Sequence, residues 1–327
     1  MRFAEERLET IFSSISRSEI AVIGDIMLDR YIWGVVDRIS PEAPVPVVNQ
    51  TGQSSNLGGA ANVAANISSL GARASLIGLV GDDADGKLLR SIVNDNRISD
   101  KGVVSDPARP TSVKTRVIAH NQHVVRIDHE RATKPSSEIE AMLLTNMMKS
   151  LESCQACILE DYNKGVLTEQ VIGKTIAACR AKNIIVGVDP KKENFWAYKG
   201  ATLFKPNLKE LEVAVGAQLK DDASLLAAGK DVLRSLNVDY LLVTRGEKGM
   251  ALFTHEGTEF IPTRAHKVHD VSGAGDTVIA SIVAALVGGA NFKEAAEIAN
   301  YAASIVIAEI GAVPVDANEL RRVCIGR

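Results

Sequence analysis

Residues 268–286 read V-H-D-V-S-G-A-G-D-T-V-I-A-S-I-V-A-A-L, and this stretch decides how the rest of the chain can be arranged. Its first residues are extended in character, residues 272–275 form a small-residue turn, and an apolar helix is predicted to begin directly afterwards. A glycine turn that opens onto a helix leaves the first backbone N–H groups unpaired beside the positive end of the helix dipole. The stretch therefore predicts a seat for an anion at the start of this helix.

Asp276 is the unexpected residue of this turn, because a carboxylate beside a bound phosphate helps only when it accepts a proton. One interpretation is phosphoryl transfer, in which the backbone amides hold the moving phosphate and Asp276 takes the proton of the attacking hydroxyl group. The alternative is an ordinary capping carboxylate at the start of a core helix. The stretch alone fits both interpretations.

The composition indicates a soluble globular protein without nucleic-acid or membrane partners. The chain has 327 residues, of which 46% are hydrophobic and 24% charged, and its net charge is -3. No basic run stands out and aromatic residues make up only 4%, so a nucleic-acid surface is not expected. The longest apolar run, residues 278–287, is too short to span a bilayer, and the N-terminus has no signal-peptide pattern. We therefore expect a cytoplasmic protein.

Strand-like and helix-like segments alternate from residue 74 to residue 244, which is typical of a mainly parallel sheet with helices on both faces. We predict one compact α/β domain that takes in residues 1–327. Two β-rich segments, about 30–51 and 111–128, fit an edge or a small appended sheet better than the main sheet, and the first of them is interrupted by prolines. We interpret both as a lid over the carboxyl edge of the main sheet.

Polar and glycine-rich residues follow five of the predicted strands. The carboxyl ends of parallel strands meet at the edge where ligands bind, so these residues are expected to converge. Asn207 and Glu210 share one face of a helix start, which suits a Mg²⁺ ion that keeps its waters but also matches an ordinary helix cap. Asp25 and Asp29 are candidates for binding hydroxyl groups, and the alternative is that they are solvated loop acids. The further candidates are Gly59, Asn62, Lys164, Lys191, Thr244, Gly246 and Gly249.

Two stretches together resemble the ribokinase-like (PfkB) family of carbohydrate kinases, and the similarity extends over nearly the whole chain. They are Gly58-Gly59-x-x-Asn62-x-Ala64 and Asp270-Val271-Ser272-Gly273-Ala274-Gly275-Asp276. The resemblance implies a three-layer α/β/α fold with a small β-sheet lid. It also implies ATP as cosubstrate, Mg²⁺ as cofactor, K⁺ as an optional cation, and a homodimer formed through the lid.

The resemblance assigns roles to the candidate residues. Asp276 is the catalytic base, and Gly273, Ala274 and Gly275 supply the anion hole. Asn207 and Glu210 match a metal motif that acts through water. The implied sugar-binding residues are Asp25, Asp29, Gly59 and Asn62, and we add Asp128 and Lys164 as candidates. The implied nucleotide-binding residues are Thr244, Gly246 and Asn300, and we add Lys191, Asn207 and Gly249 as candidates.

The segments G-D-I-M-L-D-R-Y-I-W-G, R-I-S-P-E-A-P-V-P-V and D-Y-N-K-G are most similar to family members that phosphorylate D-glycero-β-D-manno-heptose 7-phosphate on its anomeric hydroxyl, for ADP-heptose and lipopolysaccharide core synthesis. Bifunctional versions of that enzyme carry a second domain with an H-x-G-H motif, which this sequence lacks, so we expect the kinase alone. Two alternatives stay open: a kinase of another phosphosugar or a nucleoside, and a non-enzymatic binding protein. A phosphate already on the sugar would lie at its far end, near Lys114, Arg116, Arg126 and Lys164.

Overall fold

The computed structural model describes residues 2–120, 122–265 and 267–326. Its helices are α1 (Glu5–Ile15), α2 (Ala60–Ser69), α3 (Ala84–Asp95), α4 (Ser137–Ser150), α5 (Glu169–Ala181), α6 (Leu208–Val215), α7 (Asp222–Leu236), α8 (Ala274–Val287), α9 (Phe292–Val306) and α10 (Ala317–Ile325). Its strands are β1 (Glu19–Gly24), β2 (Ile26–Ile39), β3 (Pro46–Gly59), β4 (Arg73–Val80), β5 (Ser99–Ser105), β6 (Ser112–Ala119), β7 (Gln122–His129), β8 (Ala156–Glu160), β9 (Ile185–Asp189), β10 (Leu203–Phe204), β11 (Tyr240–Thr244), β12 (Met250–Phe253) and β13 (Thr258–Ile261).

Nine of the described strands form a central sheet in the order β13-β12-β11-β10-β9-β8-β1-β4-β5. The neighbours from β11 to β5 are parallel, whereas β12 and β13 continue the sheet in antiparallel pairs. Because the parallel strands run in one direction, the segments that follow β1, β8, β9 and β10 open onto one edge. The predicted mainly parallel sheet is confirmed, and this edge collects most of the candidate residues.

Helices cover both faces of the central sheet, which confirms the predicted three layers. Alternate residues of β1 point to opposite faces. Ile20 and Val22 pack in a core with α1, α2, α8 and α9, whereas Ala21 and Ile23 pack in a core with α4, α5 and α7. Strands that are buried on both faces appear in the sequence as continuous apolar runs, which explains why they could be predicted.

A second sheet has the strand order β3-β2-β6-β7. It contains the two segments predicted as a lid. The first is longer than predicted, since its strands extend from Ile26 to Gly59, whereas the second extends from Ser112 to His129 and matches its predicted length. Asn121, within the second predicted segment, lies outside the described residues. Asp25 alone separates β1 from β2, so Asp29 lies inside a strand of the second sheet. Asp25 and Asp29 are both buried, so the alternative that they are solvated loop acids is wrong.

The sequence prediction also omitted α3 and β5. β5 is an edge strand whose first residues, S-D-K-G, are polar, and a partly exposed edge strand shows no apolar run. Within the described ranges, no helix combines the length and the hydropathy needed to cross a bilayer.

Candidate active site

Asp276 lies in the first turn of α8, at the ligand-binding edge of the central sheet, and its side chain is buried. Gly273 precedes the helix with a φ of 75°, and a Cβ there would lie 2.8 Å from Nδ2 of Asn62. Nδ2 of Asn62 donates to Oδ2 of Asp276 at 2.8 Å, and the hydroxyl group of Tyr162 donates to Oδ1 at 2.8 Å. The two donors fix the carboxylate, and each of its oxygens keeps a lone pair for a further proton.

The turn before α8 presents unpaired backbone donors. In the described part of the chain, the N–H groups of Gly275 and Asp276 have no acceptor. The N–H group of Ala274 donates to the carbonyl oxygen of Val271 at 3.2 Å, so this member of the predicted anion hole is engaged in the turn. A Cβ atom added to Gly275 would lie 3.5 Å from Nζ of Lys205, so a buried ammonium group lies close to these free N–H groups. Free amides, the helix dipole and a cation thus combine into a seat for an anion.

The pKa of Asp276 reflects opposing effects. Burial raises the pKa to about 6, and the charge of Asp189 also raises it, whereas the hydrogen bonds from Asn62 and Tyr162 and the charge of Lys205 lower it. A carboxyl group with such a pKa is ionised at neutral pH and binds a proton more readily than an exposed aspartate. Asp276 therefore has the protonation behaviour of a general base.

Three buried carboxyl groups meet beside the start of α8. Oxygens of Glu160, Asp189 and Asp276 lie within 4.8 Å of one another. Nζ of Lys205 contacts Oδ2 of Asp189 at 2.7 Å, whereas neither carboxyl oxygen of Glu160 has a partner among the described residues. Burial raises the pKa of Glu160 well above its usual range, and the charges of Asp189 and Asp276 raise it further. This direction of the pKa favours the protonated form of Glu160, which limits the negative charge of the cluster.

Asp25 organises the loop that follows β8. Its Oδ2 accepts the backbone N–H groups of Tyr162 at 2.8 Å and Lys164 at 2.9 Å, and its Oδ1 accepts that of Val166 at 3.1 Å. Burial raises the pKa of Asp25 to about 6, and the three amides lower it. Gly59 has a φ of 56°, and a Cβ there would lie 2.4 Å from the carbonyl oxygen of Asp25. Asp25 thus positions Tyr162, and the contact of Asp25 with a sugar stays a prediction.

Asn207 and Glu210 form a complete capping box at the start of α6. Oδ1 of Asn207 accepts the N–H group of Glu210 at 2.8 Å, and Oε2 of Glu210 accepts that of Asn207 at 2.8 Å. Nζ of Lys191 contacts Oε1 of Glu210 and lies 5.1 Å from the ring centroid of Tyr162. The helix-cap interpretation is confirmed. Since the oxygens of Glu210 keep free lone pairs, the same residues also fit the water ligands of a Mg²⁺ ion.

A cavity of about 580 Å³ brings together four of the predicted nucleotide-binding residues. Its walls are mostly apolar, which suits a planar base, and Gly275 connects it to the anion seat. Lys191 and Asn207 are not part of the lining that the described residues form, and Lys191 lies beside the acidic cluster. The predicted residues that line the cavity are Thr244, Gly246, Gly249 and Asn300.

The predicted sugar-binding residues of the second sheet already have ionic partners. Nη1 of Arg116 contacts Oδ1 of Asp29 at 2.5 Å. Arg126 donates to both oxygens of Asp128, at 2.9 and 3.0 Å. Lys114 pairs with Asp29 in the register of β2 and with Asp128 in the register of β7. These side chains therefore share one face of the second sheet.

Besides Asp189, four residues of the site received no role from the sequence. Tyr162 contacts Asp276 across 114 positions, and Oε1 of Glu130 contacts Nζ of Lys164 at 2.5 Å. Each of the four ends or follows a strand, so their positions at strand ends could have indicated them. Their partners are distant in sequence, and no local pattern reports such contacts. The four residues are Glu130, Glu160, Tyr162 and Lys205.

A sequence profile described as "pfkB family carbohydrate kinase" matches residues 17–318. Among curated proteins, the "Bifunctional protein HldE" of Geobacter sulfurreducens is 41% identical over 316 residues, which cover 96% of this chain and 64% of the relative. The protein of the same description from Pelobacter propionicus is 43% identical over 305 residues, which cover 93% of this chain and 62% of the relative. The chain thus spans less than two thirds of the length of these relatives.

Solved structures share the fold. Phosphofructokinase-2 from Escherichia coli in complex with potassium superposes with a TM-score of 0.79 at 20% identity, over 95% of this chain and 99% of that one. Ribokinase from Arabidopsis thaliana, complexed with ribose and ATP, superposes with a TM-score of 0.72 at 21% identity, over 93% of this chain and 99% of that one.

Proposed function

The chain belongs to the pfkB family of carbohydrate kinases, and from this premise we propose that it transfers the γ-phosphate of ATP to the anomeric hydroxyl group of D-glycero-β-D-manno-heptose 7-phosphate. The product would be the 1,7-bisphosphate, a precursor for ADP-heptose and lipopolysaccharide core synthesis. One observation supports the reaction type above the others. A buried carboxylate with the protonation behaviour of a base, Asp276, stands in the same helical turn as the free N–H groups of Gly275 and Asp276.

The chemistry follows from this arrangement. The anomeric hydroxyl group lies against Asp276, and its oxygen attacks the γ-phosphorus of ATP. As the new O–P bond forms and the bond to ADP breaks, the hydroxyl proton passes to Asp276. The free amides and the ammonium group of Lys205 stabilise the negative charge of the transferred phosphoryl group.

The nucleotide occupies the apolar cavity, with its base near Asn300 and its phosphates directed to Gly275. Asn207 and Glu210 would hold Mg²⁺ through water molecules. Mg²⁺ supplies positive charge to the phosphates of ATP. Lys191 adds a second positive charge next to Glu210, because the carboxylates of Asp189 and Glu210 outweigh the effect of burial and raise its pKa.

The second sheet serves as the lid of this site. Its charged face carries Lys114 and Arg116, next to β2 and close to the loop after β8. Closure of such a sheet over the sugar would exclude water, so that the sugar and not water receives the phosphoryl group.

The opposite face of the second sheet supports a homodimer. Val125 and Ile127 of β7 are 48% and 55% exposed, and they alternate with Arg126 and Asp128, which face the other way. Neighbouring apolar side chains that are half exposed are typical of a surface covered by a partner. Light scattering of the wild type should give the mass of a dimer, and the double variant Val125→Lys/Ile127→Lys should give that of a monomer. A monomeric wild type would contradict the proposal.

A substrate panel tests the proposed reaction. The purified chain is supplied with ATP, Mg²⁺ and one of four acceptors: heptose 7-phosphate, free heptose, fructose 6-phosphate or a nucleoside. ADP release is recorded, and phosphorus NMR locates the new phosphate. We expect the highest kcat/KM with heptose 7-phosphate and a product phosphorylated at the anomeric oxygen. A preference for fructose 6-phosphate or a nucleoside would replace the substrate but keep the kinase, whereas no sugar-dependent ADP release would favour a binding protein.

A further inference from the structure

Two lysines from different parts of the fold contact one carboxylate. Nζ of Lys114, in β6 of the second sheet, lies 3.2 Å from Oε2 of Glu130. Nζ of Lys164, in the loop after β8 of the central sheet, lies 2.5 Å from Oε1 of the same residue. The three side chains are only 14–19% exposed. Glu130 therefore bridges the second sheet and the central sheet with both of its oxygens.

The charge around Glu130 is not balanced. Lys114 also approaches Oδ2 of Asp128 at 3.5 Å, and Asp128 is shared with Arg126. The group thus contains three cations and two carboxylates, which leaves one positive charge. A phosphate monoester at neutral pH carries a charge of roughly -1.5 to -2 and three acceptor oxygens. If a phosphate took the place of the Glu130 carboxylate, its second negative charge would neutralise the positive charge that remains in this group.

The other basic residues of the second sheet are less suitable for a phosphate. Arg116 is committed to Asp29 in a pair whose side chains are 12% and 8% exposed. Arg126 is 58% exposed and holds both oxygens of Asp128. Lys114 and Arg126 both reach Asp128, but of the four basic residues that the sequence offered, only Lys114 and Lys164 converge on one carboxylate while both stay largely buried.

This point lies at one end of the proposed sugar site. The N–H group of Lys164 donates to Asp25 at 2.9 Å, and Tyr162, two residues earlier, contacts the candidate base Asp276. Lys114 stands beside Asp29 in the register of the second sheet. A sugar with its anomeric hydroxyl at Asp276 would therefore extend toward Lys164 and Lys114.

We propose that in the free protein Glu130 occupies the seat of the sugar's distal phosphate, and that a phosphate monoester displaces its carboxylate from Lys114 and Lys164. The proposal rests on the proposed function for the identity of the sugar, and it adds the residue that decides between phosphorylated and unphosphorylated sugars. A neutral hydroxyl group cannot displace a carboxylate held by two ammonium groups, whereas a dianion can. In the free protein Glu130 joins the second sheet to the central sheet through Lys114 and Lys164. When the phosphate binds, the phosphate would join the same two lysines in place of Glu130.

Inorganic phosphate is the first probe, because its binding does not depend on the kinase reaction. Calorimetry measures its affinity for the wild type and for Glu130→Gln, Lys114→Ala and Lys164→Ala. We expect Glu130→Gln to bind phosphate about tenfold more tightly, and each lysine variant to bind it about tenfold or more weakly. Glu152→Gln and Lys149→Ala make the same charge changes on the exposed surface near the end of α4, and they should leave the affinity unchanged.

Kinetics with the phosphorylated and the free sugar are the second probe. Glu130→Gln should lower KM for the phosphorylated sugar and leave KM for the free sugar unchanged, whereas Lys114→Ala and Lys164→Ala should erode the preference for the phosphorylated sugar. If Glu130→Gln binds inorganic phosphate no more tightly than the wild type, the proposal is wrong. It is also wrong if the lysine variants weaken both sugars equally. Should Glu130→Gln fail to fold, the lysine variants decide by the same criteria.

The two proposals can fail separately. If no sugar is phosphorylated but the affinity for inorganic phosphate still changes in the Glu130, Lys114 and Lys164 variants as described, the kinase assignment is wrong and the proposed seat of the distal phosphate stands. If the sugar is phosphorylated but the three variants leave phosphate affinity unchanged, the seat falls and the kinase assignment stands.

Discussion

The hydroxyl group of Tyr162 donates a hydrogen bond of 2.8 Å to Oδ1 of Asp276. Tyr162 is itself fixed, because its N–H group donates to Asp25 and Nζ of Lys191 lies over its ring. Asn62 donates to the other oxygen of the carboxylate. The candidate base is therefore held by contacts from several parts of the chain, and its pKa is a balance between burial and these donors.

Replacing Tyr162 by Phe removes one donor and keeps the ring. The hydrogen bond from Tyr162 lowers the pKa of Asp276, so its loss should raise that pKa above about 6. We expect the acid limb of the pH dependence of kcat to move to higher pH by about one to two units, since a hydrogen bond to a charged group contributes about 1.5–3 kcal/mol. Steady-state rates between pH 5 and pH 9 would show the displacement.

Tyr198→Phe is the matched control for this variant. The hydroxyl group of Tyr198 donates to Oδ2 of Asp161 at 2.7 Å, so this change also removes a buried contact between tyrosine and aspartate. It leaves Asp276 untouched and should leave the acid limb in place. If both variants displace the acid limb equally, the displacement does not come from the hydrogen bond between Tyr162 and Asp276.

Asp276→Asn should lower the activity and raise the free energy of unfolding at pH 7. Loss of a general base reduces kcat by about 10²–10⁴-fold. The folded-state pKa of Asp276 is about 6 against 3.8 in the unfolded chain, so its contribution to stability is present in acid and is lost as the pH rises between these values. At pH 7 the buried charge therefore costs about 3 kcal/mol, and the neutral variant should be more stable by up to that amount.

Denaturant unfolding at two pH values checks this expectation. The stability gain of Asp276→Asn should be present at pH 7 and absent at pH 4, where Asp276 is protonated in the folded wild type. A variant that is less stable than the wild type at pH 7, or that retains activity within threefold, would contradict the assignment of Asp276 as a buried base.

Glu210→Gln tests whether the capping box at α6 also serves the metal. The chain contains a second capping box of the same N-x-x-E pattern, in which Asn291 and Glu294 cap α9 and Arg7 takes the position of Lys191. We expect Glu210→Gln to raise the Mg²⁺ concentration at half-maximal rate and to lower kcat more than it weakens sugar binding. Glu294→Gln removes the same kind of cap and ion pair and should not change the Mg²⁺ titration. An unchanged titration in both variants would leave Glu210 as a helix cap alone.

Hydrogen exchange tests the motion of the second sheet. If this sheet closes over the sugar, the amides of residues 26–59 and 112–129 should exchange more slowly once the sugar phosphate is bound. The amides of α8 are already buried and should change little. Slower exchange confined to the central sheet would exclude a closing lid.

The turn of residues 272–275 and the candidate base Asp276 could be predicted from the sequence, because the residues that form this part of the site are neighbours in the chain. The glycines, Asp276 and the apolar run after them specify an anion seat and a buried helix within a few residues. The capping box of Asn207 and Glu210 is local in the same sense. These features depend on backbone geometry and helix periodicity, which neighbouring residues determine.

The contacts that complete the site could not be predicted in this way. Tyr162 with Asp276, and Glu130 with Lys114 and Lys164, join segments that only the strand order brings together. Asp29 was misplaced because only Asp25 separates β1 from β2, so that the start of β2 appears as the end of the apolar run of β1.

Ten consecutive residues of α8, from position 276 to position 285, are buried. A substitution there leaves a void or overpacks the core, so selection admits few changes around the reacting groups. Strand β7 of the second sheet has the opposite constraint, since it is exposed at nearly every position and exposed substitutions usually alter stability by less than about 0.5 kcal/mol. Changes at the sugar-facing positions of β7 can therefore accumulate with little effect on folding, and a new substrate is accessible to evolution without any change to the catalytic step.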